Sequence, residues 1–414
     1  MVVGQIDLEK EYGLVLEGGG AKGAYQIGVW KALLEYGVKI KAISGVSVGA
    51  LNGALICMGD YDKAVELWKN ISYSRIMNVD DTQMEKLVKL RLKEMSMQEV
   101  GLQGKRFLVS GGIDVTPLKQ LIEETVEEQK VKESEIEFIL GTFSVSQMKE
   151  IEIAARDVED GCLKDYLLAS ANFPVFKNEK LFGKTFLDGG IVNNVPIDML
   201  VNRGYKDIIV IRIFGPGIEK RIKIPEDVNI TYIAPRTHLC NVLEFDQKKA
   251  VRSINLGYLD TLRILKPLIG KDYYIEAEGS EKEYFQQLLN IKDETVRELL
   301  LMNKQELTSG ESICRRLTET VLPQLAAMLK LEKSWTYQDL YYSLLEYAAK
   351  KLRLKRNKVY TRQELTSQII SKGEEEQEEE KDILLSVVYS FLRHQQEEKD
   401  ARGENGGQNL VMDE

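Results

Sequence analysis

A chain of 414 residues, 43% of them apolar and 8% aromatic, can fill a sizeable core and by length alone suggests two or three domains. A formal net charge of −9 excludes a general nucleic-acid binder and gives no broad attraction to anionic membranes. The four cysteines (Cys57, Cys162, Cys240, Cys314) form no C-x-x-C pair, which argues against a zinc site or a disulfide framework and favours reduced thiols in a cytoplasmic protein. The N-terminus lacks the basic-then-apolar layout of a signal peptide, and stretches such as Ile208-Ile209-Val210-Ile211 suit buried strands and are far too short to span a bilayer.

In chain order, Leu14-Val15-Leu16-Glu17 reads as a buried strand that runs into Gly18-Gly19-Gly20-Ala21-Lys22-Gly23. A helix with Ile27, Trp30 and Leu34 on one face follows and ends near Gly37. Such a glycine loop presents backbone N–H groups to an anion. A dinucleotide would also require an acid near the end of the second strand, where Lys39 and Lys41 stand, and a nucleoside triphosphate would require G-K-[ST]. The oxygen of a tetrahedral acyl intermediate fits better, because the next strand, Ile40 to Ile43, leads to Gly45-Val46-Ser47-Val48-Gly49 and then to the small-residue helix Ala50 to Ile56. That is the layout of a nucleophile elbow: flanking glycines let a serine stand clear of a sharp turn.

The alternation from 12 to 58 predicts an α/β fold with a mostly parallel sheet flanked by helices. A helix is expected from Thr116 to Glu128, with Thr116 as N-cap and Pro117 in its first turn, and strands over Glu137–Val145, Glu150–Ala155 and Asp207–Ile213. The stretch from 77 to 106, rich in methionine (Met77, Met84, Met95, Met97) and carrying Lys86, Lys89, Arg91 and Lys93, reads either as an amphipathic lipid-contacting helix or as an ordinary packed surface helix. Further on, Asp188-Gly189-Gly190 follows an apolar stretch, and the two glycines leave the carboxylate facing a cavity. Leu243 to Leu265 reads as a helix interrupted by Gly257 and ended by Lys266-Pro267.

A base for Ser47 has two candidates. His238 follows Asp188, the triad order of the common serine hydrolase fold, and would give a Ser-His-Asp site; His394 lies in a polar tail. Alternatively Asp188 acts directly, which requires an apolar setting that raises its proton affinity.

The glycine loop, the elbow at Ser47, Asp188-Gly189-Gly190 and Ala169-Ser170-Ala171-Asn172-Phe173-Pro174-Val175-Phe176 together resemble the motifs of the patatin-like phospholipases over roughly residues 10 to 210. The resemblance implies a Ser-Asp dyad of Ser47 and Asp188, an oxyanion hole from the backbone of Gly18, Gly19 and Gly20, no metal or cofactor, and hydrolysis of acyl esters of phospholipids or related lipids. The lipid ester substrate and transient membrane-surface contact are the expected partners, for a cytoplasmic or membrane-peripheral enzyme. A catalytically silent lipid- or partner-binding protein is the alternative. The catalytic domain is expected over 10–285, a helical region over 286–396 that serves as a cover, a dimer contact or a regulator site, and a disordered tail over 397–414. Within it, Asp293–Met302, Ile313–Leu331, Thr336–Leu354 and Ile383–Leu392 have helical periodicity, and Glu374 to Glu380 is an acidic run.

Overall fold

The computed structural model describes residues 6–85, 112–177, 180–376 and 382–406. Lys86, Lys89, Arg91, Lys93, Met95 and Met97 of the suspected lipid-contacting stretch lie outside the described residues, as do residues 377–380 of the acidic run and 407–414 of the tail. Of that stretch, Met77 is buried and Met84 packs against the core. The chain divides into two compact units, 1–266 and 267–414.

The first unit runs β1 (Glu11–Leu16), α1 (Ala24–Glu35), β2 (Lys39–Val46), α2 (Val48–Met58), α3 (Tyr61–Lys69), α4 (Thr116–Thr125), β3 (Glu137–Ser144), β4 (Lys149–Ala154), α5 (Leu163–Ser170), β5 (Lys180–Leu181), β6 (Lys184–Asp188), α6 (Ile197–Val201), β7 (Asp207–Ile211), β8 (Asn229–Ile233) and α7 (Gln247–Leu265), with short helical turns between. The strands form one eight-stranded sheet in the order β5-β6-β3-β2-β1-β7-β8, with β4 also on β3. Its centre, from β3 to β8, is parallel, whereas β4 and β6 run antiparallel to β3 and β5 antiparallel to β6. Side chains alternate across it, as the period of two requires. Leu14, Leu16, Ile43 and Ile209 join the large core with α1, α2 and α7, whereas Val15, Ala42, Ile208 and Val210 join a smaller one with α6.

One edge of β3 explains how the unit's middle is built. β4 pairs with residues 139–144 of β3, so β2 and β6 must share the opposite edge. β2 takes it up to Val46 opposite Gly141, and β6 takes the next step, Asp188 opposite Thr142. Ser47 and Asp188 are thereby delivered side by side from strands that run in opposite directions.

Three local expectations change. Gly257 does not interrupt α7: a Cβ there would lie 2.0 Å from Tyr25 O, and one at Gly28 would lie 1.8 Å from Ile254 O, so the two glycines let α1 and α7 cross in backbone contact. The helix after residue 114 stops at Thr125, and its N-cap is Val115, not Thr116; one residue earlier the Asp114 carboxylate accepts from both the N–H (2.9 Å) and the hydroxyl (2.7 Å) of Thr116. Those hydrogen bonds hold the Asp114 carboxyl down at about 2. The division between units falls at Lys266–Pro267 and not near 285, because Leu268–Ile269 and Tyr274–Glu276 pair with each other and Glu281–Leu289 packs on Tyr337–Lys351.

The second unit is mainly helical, with β9 (Leu268–Ile269), β10 (Tyr274–Glu276), α8 (Glu281–Leu289), α9 (Asp293–Met302), α10 (Leu322–Met328), α11 (Tyr337–Lys351), β11 (Val359–Tyr360), α12 (Arg362–Glu376) and α13 (Ile383–Gly406). The helix expected over 313–331 runs without a break over 313–328, as one α-helical turn (Ile313–Arg316), a π-helical stretch (Leu317–Val321) and α10. α13 continues to Gly406, beyond the point where a disordered tail was expected. Thr336 and Asp339 form a reciprocal capping box on α11, as its start at Thr336 suggests. The buried Glu346 carboxylate accepts from the N–H groups of Lys271 (2.7 Å), Asp272 (2.8 Å) and Tyr273 (2.7 Å). Among the described residues no helix is long and apolar enough to cross a membrane.

Candidate active site

Ser47 adopts φ 54° and ψ −129° between β2 and α2, a backbone that residues other than glycine rarely take. The elbow is forced by its neighbours. A Cβ at Gly45 would lie 2.6 Å from Gly49 O, and one at Gly49 would lie 2.2 Å from Leu16 O, so neither flank has room for a side chain. The Ser47 N–H donates to Ser170 Oγ (2.9 Å), whose hydroxyl donates to Gly141 O (2.6 Å). Ser170, at the end of α5, thus ties the elbow to β3.

Asp188 is buried at the end of β6. Its N–H donates to Asn172 O (2.8 Å), and its carboxylate accepts from Gly190 N–H (2.8 Å) and from the Ser47 hydroxyl. Burial dominates its acidity: loss of water raises the carboxyl to about 6, against the opposing pull of those two hydrogen bonds. The segment 169–176 therefore acts on both partners, through Ser170 on the serine and Asn172 on the acid.

The glycine loop leaves β1 beside the elbow, since Leu16 pairs with Gly45. Its three glycines differ. The Gly18 N–H donates to Asn194 O (3.2 Å), and the Asn194 amide donates back to Gly18 O (3.2 Å). Gly18 is therefore a packing position with its N–H engaged, and the donors that the loop offers narrow to Gly19 and Gly20, neither of which has an acceptor among the described residues. Gly20 holds φ 54°, and a Cβ there would lie 2.3 Å from Val242 O. The Ala21 N–H secures the same carbonyl at 2.8 Å.

Ser47, Asp188, Gly19 and Gly20 open onto a cavity of about 260 Å³. Its walls are apolar and include Leu51, Leu55, Trp68, Leu118, Phe173 and Phe245. His238 is exposed and does not line it, and His394 belongs to the second unit. The geometry of the first unit thus brings together Ser47, Asp188, Gly19 and Gly20 and leaves His238 aside.

Residues 14–201 match the family model for patatin-like phospholipases. This segment is similar to patatin-like phospholipase domains. Neuropathy target esterase sws of Drosophila melanogaster is 28% identical over 202 residues, 48% of this chain and 12% of that protein. Patatin-like phospholipase domain-containing protein 7 of Rattus norvegicus is 28% identical over 208 residues, 48% of this chain and 13% of that protein. The patatin-like domain thus corresponds to about an eighth of these much longer relatives. The crystal structure of VipD from Legionella pneumophila aligns over 94% of this chain and 91% of that one at 14% identity, with a TM-score of 0.38, too low to bear on the fold.

Sequence reasoning missed Glu17, which organises the patatin-like domain's loops. Its buried carboxylate accepts from the N–H groups of Ile213 (2.6 Å), Phe214 (3.1 Å) and Gly215 (3.1 Å), and from Arg212 Nε (3.0 Å). One side chain therefore fixes the loop after β7 against the glycine loop. The signal was an acid closing an apolar strand immediately before three glycines. Asn194 and Ser170 had no comparable signal, because their roles depend on strand register.

Proposed function

We propose that the patatin-like domain is a lipid acyl hydrolase that cleaves carboxylic esters of phospholipids or lysophospholipids with a Ser47–Asp188 dyad. The observation that carries this reading is a serine on a strained elbow, hydrogen-bonded to a buried aspartate, in an apolar cavity that also receives the free N–H groups of Gly19 and Gly20.

Ser47 Oγ attacks the ester carbonyl as its proton passes to Asp188. The carbonyl oxygen gains negative charge and is held by the N–H groups of Gly19 and Gly20, donors already oriented before the charge appears. The intermediate collapses, Asp188 delivers its proton to the leaving alkoxide, and the acyl group remains on Ser47. Water then enters, gives a proton to Asp188 and attacks the acyl carbon; Ser47 Oγ leaves, recovers that proton from Asp188, and the fatty acid is released. An ordinary aspartate is too weak a base for this work; raised to about 6, Asp188 stays mostly ionised at neutral pH yet accepts a proton more readily. The apolar walls suit an acyl chain and keep the acid desolvated.

A fluorophosphonate probe tests the reading. Labelling should map to Ser47 and vanish in Ser47→Ala, with esterase activity lost and the fold kept. A folded, unlabelled native protein would instead fit a silent binding module.

A further inference from the structure

Most of the exposed large apolar residues at the sheet's carboxyl end sit on unusual backbone. Apart from Ser47, the described non-glycine residues of the first unit with positive φ are Met148 (52°), Phe182 (53°) and Phe214 (49°). Their exposures are 74%, 48% and 55%. Left-handed positions favour glycine, asparagine or aspartate, and a bulky side chain there is a rare and strained choice. Phe182 and Gly183 together make the two-residue turn of the β5–β6 hairpin with both φ values positive, a turn whose first position normally carries Asn, Asp or Gly. The Phe182 ring lies 5.1 Å from that of Tyr166 and the Arg212 guanidinium sits over the Phe214 ring at 5.6 Å, yet both rings and Met148 keep about half or more of their surface in water, which leaves apolar surface on strained backbone for an external partner.

All three share one end of the sheet. Met148 follows β3, Phe214 follows β7, and the hairpin turn at Phe182 projects past the end of β3, because Phe186 pairs with Ser144, the last residue of that strand. This is the end from which Ser47 and the glycine loop emerge after β2 and β1, and where ligands of such sheets bind. Ile218, 58% exposed, joins them: Pro216 and Gly217 line the cavity, and Ile218 is clamped to the acid's turn by its N–H to Gly190 O (2.9 Å) and by Asn194 N–H to its own carbonyl (2.7 Å). The tips are set among cations. Lys149, at the start of β4, and Lys180 and Lys184, flanking the hairpin turn, are exposed and have no ion-pair partner among the described residues, so basic charge gathers at these tips on a chain of net charge −9.

We infer that these loops form a membrane-docking rim, in which Met148, Phe182, Phe214 and Ile218 enter the interfacial layer of an anionic lipid surface and the adjoining cations contact its headgroups, with the cavity mouth facing the lipid. The inference rests on the lipid-hydrolase reading for its purpose, but binding can be measured without chemistry. Apolar tips supply insertion and the cations supply attraction that weakens as salt rises.

The test uses the full chain carrying Ser47→Ala, so that vesicles stay intact, and co-sedimentation with phosphatidylcholine–phosphatidylglycerol vesicles. Met148→Asn, Phe182→Asn and Phe214→Asn combined should weaken binding by about tenfold or more. Because asparagine tolerates positive φ, the melting temperature should hold or rise. With Ser47 intact, the triple variant should hydrolyse a soluble short ester within about twofold of the native rate. A second variant, Lys180→Gln with Lys184→Gln, should lower binding in low salt and leave it unchanged in high salt. Native-like vesicle binding by the triple variant would overturn the rim, as would a lowered melting temperature or a dimer that the triple variant dissociates without any vesicle binding. Vesicle binding that depends on these residues in a protein with no esterase activity would sink the hydrolase reading and keep the rim.

Discussion

Asp188 in the first unit and Glu346 in the second are both buried carboxylates, yet their surroundings differ in kind. Glu346 is saturated by three backbone N–H groups, all within 2.8 Å, and acts as a clamp on the turn at 271–273. Asp188 receives one backbone N–H and one serine hydroxyl, and burial leaves it with a raised proton affinity. Glu17 resembles Glu346, with three backbone N–H groups and an arginine. The difference teaches that a buried acid holds structure when its lone pairs are filled and becomes available for proton transfer when they are not.

The sharpest way to break this contrast is Asp188→Asn. Under the proposed reaction kcat should fall by roughly 10⁴-fold on a soluble p-nitrophenyl ester. Stability should move the other way. The folded-state value, about 6, lies above the ordinary 3.8, so the unfolded chain ionises first as pH rises. The fold loses stability between about pH 4 and pH 6, by on the order of 3 kcal/mol, and the loss is complete above that window. The asparagine variant escapes it, so its melting temperature should exceed that of the native protein at pH 8 and match it at pH 4. A variant destabilised at pH 8 would show that Asp188 is a clamp after all. For the native protein under the proposed reaction, the same value predicts that kcat/KM falls about tenfold per pH unit below about 6, as Asp188 is protonated.

Glu346→Gln should do the reverse. Losing the charge and facing an amide NH2 group toward backbone donors should destabilise the second unit by about 3 kcal/mol, read by denaturant titration. Gly19→Val targets the donors: a Cβ at Gly19 already lies 2.8 Å from Ile213 Cδ1, so a larger side chain must twist or obstruct the loop. Removing an oxyanion donor raises the barrier by about 3 kcal/mol, so kcat should drop on the order of a hundredfold with little change in KM. A mutant altered only in KM would contradict the donor role. The smallest effect is expected from His238→Ala, because that side chain is exposed and outside the cavity; activity within about twofold of native is expected. A folded but inactive His238 variant would restore the triad.

Much of this was legible in the sequence wherever the pattern is local. Strand, glycine turn and small-residue helix lie within a few residues of Ser47, and their order alone announces an elbow. The helix boundaries near Asp293, Thr336 and Ile383 follow from caps and periodicity. What escaped depends on long-range packing. Gly257 looks like a break until α1 is laid across it, and Gly18 looks like an oxyanion donor until Asn194 is brought beside it. Glu17 has no assigned role in the sequence until the loop after β7 arrives with three N–H groups.

The shared edge of β3 has a consequence for how the protein matures. β2 and β6 abut in one slot, and the acid reaches the serine only when β6 has docked at the step that puts Asp188 opposite Thr142. A slip of one residue would turn the carboxylate to the far face of the sheet. Refolding from denaturant should therefore restore the fluorescence of the buried tryptophans Trp30 and Trp68, on α1 and α3, before any turnover returns. Until β6 finds β3 the chemistry stays off, and a half-folded chain at a lipid surface carries no hydrolytic threat.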